Sequence, residues 1–179
     1  MPSIKTLFQQ ESLADQLSGR RKAFVDEIDR ISQSQFDSTP DDQVVAHIVA
    51  RGSIDPIILY EDRAFLDFEP TQVDISRDQN RVFFERPRGA LFVPGRRAIL
   101  SIPFDGEEWL FDYHTNPFMP YAKVQGDIKN AISDGEETVV RLHIFAANDV
   151  AEETVIQQID EARKGLRMFV GASFAQVLG

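Results

Sequence analysis

An α+β fold is what the sequence predicts, with a small, mainly antiparallel sheet of about five to six strands between N-terminal helices and a long C-terminal helix. Three observations carry that expectation. Apolar residues recur at helical spacing near both ends of the chain. Between those ends, short apolar runs alternate with turn residues, as strands do. At 179 residues with 42% hydrophobic content, the chain is sized for one domain with a sizeable core. The expected organisation is a single domain over 1–179: a helical part over 1–53, a strand-rich core over 54–147, and a C-terminal helix over 148–179.

The first helix is expected from Ser12, a suitable N-cap, to Gln33. Leu13, Leu17, Phe24, Ile28 and Ile31 share one face of it, and Asp15, Arg20, Arg21, Asp26, Glu27 and Asp29 line the other. At 1.5 Å per residue it would be about 30 Å long. A loop over 33–38 ends it. Thr39-Pro40-Asp41-Asp42 then starts a second helix, since the hydroxyl can cap free amides, proline suits the first turn and carboxylates favour the positive end of the dipole. Val44, Val45, Ile48 and Val49 should form its buried stripe, and Gly52 closes it.

Strands are expected at Ile57–Tyr60, Gln72–Ile75 and Arg81–Glu85. The clearest one is Arg96–Phe104, with Ala98, Leu100, Ile102 and Phe104 on one face. Pro103 suggests an edge or a strand end. Val139–Phe145 alternates Val140, Leu142 and Ile144 inward with Arg141 and His143 outward, and Asp134-Gly135 predicts a hairpin joining it to Ala122–Asp127. From Asn148-Asp149 a last helix places Val155, Ile159, Ala162, Leu166, Phe169, Ser173 and Val177 on one stripe, with acids ahead of bases. The apolar Phe174, Val177 and Leu178 at its end point to a partner or to a further domain. Leu166, Phe169, Phe174 and Val177 are therefore the expected interface residues.

The net charge of −10 disfavours non-specific contact with nucleic acid or anionic lipid. No stretch reaches the roughly 18 apolar residues of a membrane-spanning helix, and no secretory pattern opens the chain. With no cysteine, disulfides and thiolate metal sites are excluded, which fits a reducing, cytoplasmic setting. No cofactor and no metal site is expected, because His47, His114 and His143 form no ligand spacing. Asp112 could orient His114 as a base, but no second catalytic group accompanies it. Ser173 sits within a helical pattern rather than on a nucleophile elbow. Gly89, Gly95 and Gly106 are too scattered for a phosphate-cradling loop.

Two constellations remain. Asp105 with Asp127 and Lys129 loosely matches the carboxylate and D/E-x-K elements that hold Mg²⁺ in nucleases, which makes a metal-dependent nuclease or hydrolase one alternative. Arg81, Arg86, Arg88, Arg96 and Arg97, against the single acid Glu85, make a +4 segment inside an acidic chain. With Phe92 beside them, Arg86, Arg88, Arg96 and Arg97 suit anion capture or base stacking, so nucleic-acid binding is a second alternative. Pairing with surplus surface acids is the plainer account of these arginines.

The stretches Gln72-Val-Asp-Ile-Ser-Arg-Asp-Gln-Asn-Arg81, Phe92-Val-Pro-Gly-Arg-Arg97, Ser101-Ile-Pro-Phe-Asp-Gly106 and Trp109-Leu-Phe111 resemble the N-terminal region of uncharacterised bacterial multidomain proteins, defence-associated and nuclease-linked. The resemblance covers about half of the chain and transfers no active site. It implies a sensing or assembly module that leads through a long helix into a separate effector. The leading expectation is accordingly a non-catalytic regulatory, sensing or oligomerisation module, partnered by copies of itself or by a C-terminal effector.

Overall fold

The computed structural model describes residues 4–76, 78, 88–115 and 124–178, without the side chains of 35–37. The fold class is the one expected. In chain order the elements are β1 (Lys5–Thr6), β2 (Gln10–Ser12), α1 (Leu13–Ile28), α2 (Gln33–Ser38), α3 (Asp41–Gly52), β3 (Ile58–Leu59), β4 (Phe65–Asp74), β5 (Phe92–Asp105), β6 (Tyr113–His114), β7 (Gln125–Lys129), β8 (Val139–Ala147) and α4 (Glu152–Leu178). Contacts divide the chain into two compact units: Met1–Leu7 with Leu59–Phe104 and Tyr121–Met168, and Phe8–Ile58 with Asp105–Pro120 and Phe169–Gly179.

The first unit is built on a six-stranded sheet in the order β1-β7-β8-β5-β3, with β4 also paired to β5. The β1/β7, β7/β8, β8/β5 and β5/β4 ladders are antiparallel. The alternation of Ala98, Leu100, Ile102 and Phe104 does bury that face of β5, opposite Val140, Leu142 and Ile144 of β8. Val155, Ile159 and Leu166 of α4 are buried in the same unit, and a Cβ at Gly165 would stand 3.7 Å from Val124.

Of the two alternatives for Pro103, the strand end is the one met: β5 is central, and Pro103 occupies the last rung of the β5/β8 ladder while its carbonyl accepts the Tyr60 amide at 2.9 Å. Two other expectations about this sheet need correcting. His143 does not face outward: it is buried together with Ile99, Ser101 and Asp127, so the sheet hides both faces at its centre. The strand expected over 72–75 is the end of a longer one, β4. The strand expected at 81–85 lies outside the described residues.

Gly95 is fixed by close packing. A Cβ there would fall 2.5 Å from Val73 Cγ2 and 2.6 Å from the Ala146 carbonyl oxygen, so only glycine lets β4, β5 and β8 approach at this rung.

In the second unit, Leu13, Ile57, Leu110, Phe111 and Phe169 form the core. Phe8 stacks on Phe169 with ring centroids 3.8 Å apart, on a backbone with φ of 62°, a conformation that non-glycine residues seldom adopt. β2 and β6 pair in parallel. Ser12 holds the N-cap position of α1 without a capping hydrogen bond, and Pro40, not Thr39, holds that of α3. A short helix, α2, stands where a loop was expected. The stripe expected on α3 is only half realised, with Val44 and Ile48 half-buried and Val45 and Val49 exposed. No helix among the described residues is long and apolar enough to cross a membrane.

Candidate functional site

The candidate site is one face of the β4–β5 hairpin in the first unit. The Ile75 amide donates to the Leu91 carbonyl at 2.9 Å, in register with Asp74 opposite Phe92. Odd-numbered residues of β4 therefore bond to β5, and Leu66, Phe68 and Pro70 turn their backbone groups to the sheet edge. Pro70 has no amide to present there, so no ladder bond is lost and the edge is blunted. The pleat puts the side chains of Leu66, Phe68 and Pro70 on the same side as Phe92, Pro94 and Arg96. Leu66, Phe68 and Phe92 are 41%, 53% and 60% exposed, and both prolines are exposed as well. The Arg96 guanidinium lies 5.8 Å from the Phe68 ring centroid, and its buried Nε has no hydrogen-bond partner. The result is a largely apolar, exposed strip along the margin of this face, shared with Gln72, Asp74 and the Arg96 cation, while Ala98 and Leu100 on the same side are buried.

Adjacent residues of a strand point to opposite sides, and this separates the expected arginines. Arg96 is on the strip, whereas Arg97 lies on the other side in an ion pair with Glu69. The hydrogen bond from Arg97 holds the Glu69 carboxyl below its ordinary range. Arg88 is exposed just before β5, and Arg86 lies outside the described residues. Of the four expected interface residues, Leu166 and Phe169 are fully buried in the chain's own cores, Val177 is half-buried and Phe174 is 44% exposed.

The acidic constellation is arranged differently from a metal site. Asp127 is 3% exposed, and Arg141 grips both of its carboxylate oxygens, with Nε to Oδ1 at 2.6 Å and Nη2 to Oδ2 at 2.8 Å. His143 Nε2 stands 3.4 Å from Oδ2 without hydrogen-bond geometry, and burial pushes its pKa below the ordinary 6.5 against the pull of Asp127. Lys129 is exposed two residues along β7. Asp105 ends β5 and belongs to the second unit, whereas Asp127 and Lys129 lie in the first. Among the described residues, no group of three or more His, Asp or Glu side chains could hold a metal ion. On this side of the sheet, Asp67, Glu69, Ser101, Lys129, Glu137 and Arg141 line a polar cavity of about 340 Å³.

Leu66, Phe68 and Pro70 are not among the residues the sequence marks out. Their signal was a simple period of two, interrupted by Asp67 and Glu69. Compared with known proteins, the chain matches no protein-family model, no curated protein and no solved structure.

Proposed function

We propose that the chain is a non-catalytic regulatory module that assembles with a second copy of itself through the β4–β5 strip. The exposure of Leu66, Phe68 and Phe92 on one side of the hairpin carries this reading. Together these three side chains expose roughly 300 Å². With Pro70, Pro94 and Arg96 the strip supplies about half of the ~800 Å² that a standard interface buries per partner. Aromatic side chains around an arginine are also the composition that interface cores favour.

Charge favours a second copy as the occupant. The whole chain carries −10, but the strip's only charged residues are Arg96 and Asp74, which sum to zero. Two antiparallel strips related by a two-fold axis at the rung of Gln72 and Pro94 bring Arg96 of one copy to Asp74 of the other, a self-complementary arrangement. The test is sedimentation equilibrium across a concentration series on the chain and its Phe68→Asp variant. The wild type should reach a dimer with micromolar affinity, about −8 kcal/mol. The variant should stay monomeric with an unchanged circular dichroism spectrum. A wild type that is monomeric throughout, or a variant that dimerises equally well, overturns the reading.

A further inference from the structure

We propose that the second unit holds a binding site for a small organic phosphate, in a cavity of about 490 Å³ lined by α1, the end of α3 and the last turns of α4. Arg20, Arg21 and Arg51, far apart in sequence, meet in its lining, and none of the described lining residues is acidic. In a chain of net charge −10, this is a local reversal of sign.

Two of the guanidinium groups are held in place. Arg20 stacks over Trp109 with its Cζ 4.3 Å from the ring centroid, and Arg51 pairs with Glu27 at 2.6 Å. Arg21 has no hydrogen bond or ion pair with the described residues. Three full positive charges, offset by Glu27 and by roughly half a negative charge at each of the α3 and α4 C-termini, leave a net charge of about +1 facing the cavity. A phosphate monoester carries about −1.5 to −2 at neutral pH and matches the guanidinium fork.

Gln176 is fixed beside the cavity: its Nε2 donates to the Thr115 carbonyl at 2.7 Å, and its Oε1 is closed off from solvent. Leu17, Phe24 and Val177 give the same cavity an apolar wall. The matching ligand is therefore a phosphate attached to a ring or short carbon skeleton. This site is independent of the dimer strip, and its test is independent too.

Titration calorimetry on the full chain would use the four ribonucleoside 5′-monophosphates and glucose 6-phosphate as probes, with inorganic phosphate, adenosine and glucose as comparators. At least one monophosphate should bind with a Kd of about 1 mM or tighter. Arg21→Ala and Arg51→Ala should each weaken it by roughly tenfold. Lys164→Ala, which removes an equal charge from outside the cavity, should leave it unchanged. Circular dichroism verifies that each variant is folded. The proposal is overturned if no monophosphate binds with a Kd of about 1 mM or tighter, if the Arg21→Ala/Arg51→Ala double variant keeps wild-type affinity, or if inorganic phosphate binds as tightly as the esters.

Discussion

Replacing Arg141 with methionine should destabilise the first unit strongly, and by an amount that depends on pH. The substitution keeps most of the side chain's apolar length but removes the guanidinium from both Asp127 oxygens. Asp127 is 3% exposed, so water cannot take over, and breaking a buried pair from one side costs about 3–5 kcal/mol. At about 2–4 °C per kcal/mol for a chain of this size, Tm should fall by roughly 6–20 °C. His143 modulates the loss. Its imidazole stands 3.4 Å from Asp127, and the Arg141 charge is one of the influences that keep it deprotonated. Without that charge, Asp127 draws a proton onto His143 at mildly acidic pH, and the imidazolium restores part of the pairing. The deficit relative to wild type should therefore be larger at pH 8 than at pH 6. The Asp127→Leu/Arg141→Met double variant should return to within about 1 kcal/mol of wild type or exceed it, because it leaves no buried charge behind. Urea unfolding followed by circular dichroism at both pH values measures all three. A single-variant loss under about 1 kcal/mol at pH 8, or a double variant that loses the sum of both singles, would falsify the reasoning.

Two further outcomes follow from the first unit. Wild-type stability should be fully present above pH 6.5, the ordinary histidine value, and decline as pH falls below it, because burial depresses the folded-state pKa of His143 and acid must charge a buried ring. A His143→Leu variant should lack that part of the decline in urea titrations between pH 7 and 5, and an unchanged slope would sink the attribution. Gly95→Ala places a methyl group 2.5 Å from Val73 Cγ2 and 2.6 Å from a backbone oxygen, so thermal unfolding should show a loss of about 1–3 kcal/mol. A variant as stable as wild type would mean that β4 and β8 can shift freely at this rung.

How much of this was legible in the sequence depended on the range of the interactions involved. β5 was readable because Ala98, Leu100, Ile102 and Phe104 repeat every two residues, and the α4 stripe was readable for the equivalent helical reason. His143 was misplaced because alternation assumes one wet face, and a sheet hidden on both sides breaks that assumption. Val45 and Val49 fell on the expected helical face, but periodicity gives only a direction and does not say whether anything covers it. At six residues, α2 is too short to carry a readable apolar period. The commitment of Asp127 to Arg141 depends on the β7/β8 register, which local spacing does not set. Arg20, Arg21 and Arg51 could be joined only by the packing of α1 against α3, whereas Arg96 and Arg97, neighbours in the conspicuous cluster, fall on opposite sides of β5.

Pro70 governs what kind of assembly the β4 border permits. A strand margin with a full row of free amides invites another strand, which then offers a fresh margin of its own, so that growth has no natural end. The pyrrolidine ring removes the donor midway along β4 and makes such lengthwise addition unfavourable, while leaving the broad side of the hairpin available for docking. In the proposed pair, association through that broad side would consume the surface it uses and stop at a closed complex. One imino acid would thereby favour a finite complex over an open-ended fibre.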